Sequence, residues 1–113
     1  MSKLSITIEE LGAPRRTATS PGEMLREEFL NPLHMSANAL ALAVRVPANR
    51  ITAILSNERS ITADTAMRLG RYFGNSPRFW LNIQQNYQLS KARAQLGDKI
   101  ELEVLPRNEA NIA

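Results

Sequence analysis

Cysteine is absent from this 113-residue chain, and histidine occurs once, as His34. Without thiols there are no disulfides, no thiolate zinc sites and no cysteine nucleophile. One histidine is too few for a histidine-built metal site or a serine–histidine triad. No apolar run reaches the ~18 residues that a membrane helix needs, and no charged segment followed by an apolar one opens the chain. The expected location is therefore cytoplasmic, with no membrane partner. Internal repeats and low-complexity tracts are also missing. Carboxylate chemistry is left, but Glu27 and Glu28, and Glu101 and Glu103, read as solvated faces with no nucleophile beside them. No catalytic residue, metal ligand or cofactor is expected, and the chain does not read as an enzyme.

Lysine is scarce as well: three against eleven arginines, within a formal net charge of +3. Arginine suits bidentate contact with phosphates and guanine edges. The excess is local. Residues 36–78 carry Arg45, Arg50, Arg59, Arg68, Arg71 and Arg78 against only Glu58 and Asp64, whereas residues 79–113 are balanced.

The pattern predicts an all-α chain with five helices. Residues 1–19 read as a flexible N-terminal arm, 20–96 as the domain, and 97–113 as a C-terminal extension and tail. Ser20-Pro21-Gly22-Glu23 starts the first helix as cap, first-position proline and capping-box acid. Its apolar side carries Met24, Leu25 and Phe29, with Glu28 beside them, and Asn31-Pro32 ends it. Gly22 weakens its first turn. Ser36 caps a second helix, in which Ala37, Leu40, Ala41 and Val44 form one stripe. Val46-Pro47 breaks it, and a third helix runs from about Ala48 to Ser56. Thr62 caps a fourth, closed by Gly74-Asn75, and Ser76-Pro77 opens a fifth. There Trp80, Ile83 and Tyr87 make one apolar row, expected to seal the core with Phe79. Beyond Gly97, residues Ile100, Leu102 and Val104 fit a helix or a strand equally well.

The second and third helices, joined by a tight turn, make a helix-turn-helix pattern. In the third, Ala48, Ile51, Ile54 and Leu55 share one face, while Asn49, Thr52, Ala53 and Ser56 share the opposite one, with Arg50 on the flank. That outer face is small, polar and free of acids. A helix entering a groove about 12 Å wide between phosphate strands needs those properties. Asn49 is placed to pair bidentately with adenine, and Ala53 to meet a thymine methyl. Thr52 and Ser56 can reach bases or phosphates, and Arg50 and Arg59 are expected on phosphates or bases. Arg50→Ala is expected to weaken DNA binding and leave the fold intact. Arg45, in the tight turn, is a candidate phosphate contact. Ser36 and Asn38 open the second helix, where backbone N–H groups can hold a phosphate. Ala48 and Asn57, at the two ends of the third helix, complete the expected DNA-facing set, and Asn57 also reads as a left-handed C-cap.

Several strings together resemble the HigA-type antitoxins of type II toxin–antitoxin modules, within the lambda-repressor-like helix-turn-helix class. They are Ser20-Pro21-Gly22-Glu23 with Leu30-Asn31-Pro32-Leu33, Val46-Pro47-Ala48-Asn49-Arg50-Ile51, Ile61-Thr62-Ala63-Asp64-Thr65-Ala66 with Arg68-Leu69, Arg71-Tyr72-Phe73-Gly74, and Ser76-Pro77 with Phe79-Trp80-Leu81-Asn82, Gln84, Tyr87 and Leu89. The resemblance covers residues 20–106. It implies a homodimeric protein that binds operator DNA, represses its own operon and pairs with a HigB-type toxin, an mRNA interferase. One departure stands out. Where the family carries Asn-Gly-Lys-Arg after the recognition helix, this chain reads Ser56-Asn57-Glu58-Arg59, so Glu58 replaces a phosphate-facing lysine.

Leu89, Ala92, Leu96, Ile100 and Val104 form a second row on the fifth helix with no evident partner inside the domain, which assigns them to the dimer interface. Two other readings stay open on sequence grounds: a regulator without a toxin, and a helical protein-interaction module that Glu58 has removed from DNA.

Overall fold

The structure, a computed structural model, describes residues 18–107. Five helices and no strand occur among the described residues: α1 (Pro21–Leu25, continued as a π-helical turn through Arg26–Leu30), α2 (Ala37–Val44), α3 (Ala48–Leu55), α4 (Ala63–Phe73) and α5 (Pro77–Glu103). Residues 18–88 form one compact unit. No described helix is long and apolar enough to cross a membrane.

The expected caps account for three of the helix starts. Ser20 Oγ accepts the Glu23 N–H at 3.1 Å, Ser36 Oγ that of Ala39 at 3.0 Å, and Ser76 Oγ that of Phe79 at 3.1 Å. Each satisfies one of the N–H groups that a helix start leaves orphaned. Thr62 holds the N-cap position of α4 with extended backbone, but its side chain makes no capping bond to that helix.

The first helix departs from a regular 3.6-residue pattern. The Asn31 N–H reaches back five residues to the Arg26 carbonyl at 2.9 Å. This wider turn brings Leu25 and Leu30 into the core together, whereas Glu28 is exposed. Gly22 is required here by space. A Cβ on it would lie 2.4 Å from the Ile54 carbonyl oxygen and 2.7 Å from that of Leu55. The start of α1 is therefore seated directly on the C-terminal end of α3. Arg26 Nη2 reinforces the contact by donating to the Leu55 carbonyl at 3.0 Å.

Leu25, Leu40, Ile51, Ile54, Leu69 and Trp80 are fully buried, and each contributes on the order of 1.5–3 kcal/mol by leaving water. The rings of Phe29, Phe73 and Trp80 cluster, with Phe29 4.7 Å from Phe73 and 4.8 Å from Trp80. Trp80 Nε1 donates to Asn75 Oδ1 at 2.8 Å, which satisfies its polar edge. Phe79, expected in the core, is 37% exposed and covers Trp80 edge-on at 5.0 Å. Of the expected row on α5, Trp80 is buried, while Ile83 and Tyr87 are half-buried. Gln84 takes an inner place beside Trp80, where its Oε1 accepts the N–H of buried Ile61 at 2.7 Å.

The Ile100 to Val104 ambiguity resolves as helix, since α5 passes through Gly97 and ends at Glu103. A helical glycine costs only about 1 kcal/mol relative to alanine, and no true breaker arrives before Pro106.

Candidate nucleic-acid interface

Helices α2 and α3 form the helix-turn-helix. The turn between them closes on Arg45, which adopts the left-handed conformation at φ 64°. The Val46 N–H returns to the Ala41 carbonyl at 3.0 Å and the Arg45 N–H to that of Leu42 at 3.3 Å, the paired bonds of a Schellman end. The far end of α3 closes the same way. Asn57 is left-handed at φ 65°, and the Glu58 and Asn57 N–H groups bond the Ala53 and Ile54 carbonyls at 2.8 and 3.0 Å. Two left-handed residues thus bracket the recognition helix, and neither is glycine.

Within α3, Ile51 and Ile54 are buried and Leu55 half-buried, as the inward stripe predicts, whereas Asn49, Thr52 and Ser56 are exposed and Ala53 is half-buried. Ala48, placed inward by helical phase, is exposed, because it sits at the helix start before α3 meets the core. The hydroxyls of Thr52 and Ser56 donate to the carbonyls of Asn49 and Ala53, at 3.3 and 3.2 Å, leaving their oxygens outward as acceptors. The exposed face of α3 carries no carboxylate; the nearest acid in sequence is exposed Glu58, past the helix end. Ser36, Asn38, Arg45, Asn57 and Arg59 are also exposed. Ser36 Oγ is committed to capping α2.

Arg50 differs from expectation. It does not stand free on the flank: its Nη1 donates to Asp64 Oδ2 on α4 at 2.7 Å, its side chain is only 24% exposed, and its Nε is enclosed without a hydrogen-bond partner. Arg68 contacts the same carboxylate, with Nε 3.2 Å from Oδ1. Hydrogen bonds from Arg68 and then Arg50 hold the Asp64 carboxyl below the usual aspartate value. This contact ties α3 to α4, so Arg50→Ala would remove a link between the two helices as well as a charge. Sequence offered no sign of the pair, because its members lie fourteen residues apart on different helices. Gly22, Arg26, Asp64 and Arg68, which hold α3 in place, carried no signal as site residues either.

The helix-turn-helix family model matches residues 25–80. Virulence-associated protein I of Dichelobacter nodosus is 51% identical over 81 residues, spanning 72% of this chain and 75% of that protein. The structure of an addiction module antidote protein of the HigA family from Coxiella burnetii is 50% identical, with a TM-score of 0.78 over 81% of this chain and 100% of that one. This chain belongs to the HigA-type helix-turn-helix family. A Pseudomonas aeruginosa antitoxin HigA, solved with the higBA promoter, is 46% identical, with a TM-score of 0.77 over 80% of this chain and 98% of its own.

Leu89, Leu96, Ile100 and Val104 are 50%, 45%, 49% and 62% exposed, and Ala92 is half-buried. The first four of the row by position, Leu89, Ala92, Leu96 and Ile100, share one side of α5, while Val104 follows the helix end and bonds back to the Ile100 carbonyl at 2.8 Å. No cluster of potential metal ligands occurs among the described residues.

Proposed function

We propose that this chain is an operator-binding antitoxin that represses its own operon and neutralises a HigB-type mRNA interferase. The observation that carries this reading is the exposed, acid-free outer face of α3. Asn49 reads a base edge, Thr52 and Ser56 offer oxygens to bases or water, and Ala53 leaves room for a thymine methyl. Arg45 and Arg59, at the two ends of the helix, neutralise phosphates, and the start of α2 at Ser36 and Asn38 approaches the backbone. Ala48 and Asn57 complete the DNA-facing surface. One recognition helix reads too few base pairs for selectivity, so two act together, about 10 base pairs apart or a multiple of that. The exposed row of Leu89, Ala92, Leu96, Ile100 and Val104 joins the two copies.

A gel-shift titration on the DNA upstream of the chain's own reading frame tests the reading. A retarded band that weakens as salt rises is expected, since phosphate contacts release counterions. Protection of a single asymmetric half-site, or no shift at all, rejects it. Glu58 favours a second reading, a helical protein-interaction module, because it sets a carboxylate where a phosphate-facing cation belongs. That reading requires toxin capture without any DNA shift. Shift without capture of a co-expressed toxin marks a regulator that acts alone.

A further inference from the structure

Asp64, in the first turn of α4, accepts from Arg50 on the recognition helix at 2.7 Å and from Arg68 at 3.2 and 3.3 Å. The other end of Arg68 reaches the turn of the helix-turn-helix, where Nη1 donates to the Val44 and Arg45 carbonyls at 2.9 and 3.3 Å. One carboxylate therefore links three parts of the interface: α3 through Arg50, the left-handed turn through Arg68, and α4 itself. Asp64 stays 55% exposed, an anion beside an otherwise basic flank. Arg50, largely covered and engaged with Asp64, is not extended toward a phosphate.

We propose that Asp64 is a positioning residue that sets specificity: it withholds Arg50 and Arg68 from DNA phosphates and fixes the recognition helix against the turn that presents Arg45. This rests on the DNA-binding reading above. Phosphate neutralisation supplies sequence-independent affinity, whereas aligned base contacts supply discrimination. An acid that engages two arginines and aligns the reading helix lowers the first and raises the second. Loss of the carboxylate is then expected to act in opposite directions on the two kinds of DNA, which loss of stability alone does not do.

Fluorescence anisotropy on two duplexes tests this, one from upstream of the chain's own reading frame and one of the same composition scrambled, each across a salt series. For Asp64→Asn, binding to the scrambled duplex is expected to tighten. Its log–log salt slope should steepen by about 0.9 for each phosphate newly contacted, up to two. Preference for the upstream duplex should fall at least tenfold. Asp64→Glu keeps the carboxylate and should recover most of that preference. Arg50→Gln, which leaves Asp64 in place, should lower the preference with no change in slope. Parallel weakening on both duplexes by Asp64→Asn, with an unchanged slope, overturns the proposal. So does a slope that flattens by about 0.9 in Arg50→Gln, which would place Arg50 on a phosphate. If the unaltered protein binds neither duplex, the DNA-binding reading itself fails and this proposal with it.

Discussion

Replacing Gly22 with alanine adds one methyl group where two backbone carbonyls already stand. The new Cβ would meet the Ile54 oxygen at 2.4 Å, the Leu55 oxygen at 2.7 Å and Asn57 Oδ1 at 2.9 Å. None of these is the end of a long flexible side chain, so α1 must withdraw by about 1 Å to restore ordinary contact. Overpacking of this kind costs roughly 1–3 kcal/mol. The exposed Arg26–Leu55 hydrogen bond, 3.0 Å long, is pulled apart by the same movement, at roughly 1 kcal/mol more. Against this, alanine gains at most about 1 kcal/mol over glycine in helix propensity, and less near a helix start. The net is a loss of about 2 kcal/mol, or roughly 8–16 °C in Tm for a domain of this size. Trp80, fully buried and the only tryptophan, reports unfolding by fluorescence in a urea or thermal series. Gly74→Ala is the control: its Cβ meets nothing within 4 Å and its φ is +78°, so backbone strain of about 1–2 kcal/mol is the whole effect. A Gly22→Ala protein as stable as the unaltered one, or more stable, would refute the steric argument, because propensity alone predicts that sign.

Arg45→Gly should stabilise the fold by about 1 kcal/mol, since it relieves a left-handed residue at φ 64°, yet flatten the salt slope of DNA binding by about 0.9; an unchanged slope removes Arg45 from the phosphates. Gln84→Leu should cost about 1–3 kcal/mol in urea unfolding by stranding the buried Ile61 N–H, and a cost near zero would show that the 2.7 Å bond contributes little. Because Asp64 titrates below its ordinary 3.8 when folded, its stabilising contribution is complete above that value and is lost as pH falls through the lower folded one. A carboxyl NMR titration should therefore show the Asp64 midpoint rise toward 3.8 in Arg68→Ala, and equal midpoints in the two proteins would refute the pairing. Leu89→Glu with Leu96→Glu should give monomers that keep their helices and lose operator affinity; sedimentation as a dimer would move the interface elsewhere.

Helix existence and order were legible because the signals are local. Serine caps, prolines at first positions and the apolar stripes of α2 and α3 each operate within a turn or two. The inward and outward faces of α3 follow from the same periodicity. What stayed hidden depends on partners distant in sequence. Gly22 reads as a weak spot in a helix until Ile54 and Leu55 are placed against it. The burial of Gln84 follows from the Ile61 N–H, twenty-three residues away, which needs an acceptor. The engagement of Arg50 depends on Asp64, which arrives from another helix. The π-turn that buries Leu30 together with Leu25 is likewise set by what these residues pack against, not by their spacing.

Glycine is the usual residue where a helix ends in the left-handed region, yet of four such positions among the described residues only Gly74 has it; His34, Arg45 and Asn57 occupy the others. A side chain there costs roughly 1–2 kcal/mol, less for asparagine, and that cost is borne at both ends of the recognition helix. Packing does not account for it at Arg45, which is exposed and whose backbone carbonyl, not its side chain, is the group that Arg68 engages. Such strain persists only where surrounding contacts over-determine the backbone. Here those contacts are visible: the paired bonds to Ala41 and Leu42, the Arg68 guanidinium, and the Pro47 carbonyl that accepts the Arg50 N–H at 3.0 Å to begin α3. The turn is thus held from both sides in a conformation that displays a guanidinium beside the start of the reading helix. Glycine would keep the turn and lose the cation. Exchange of backbone comfort for a fixed positive charge fits a surface that must meet phosphates in one register.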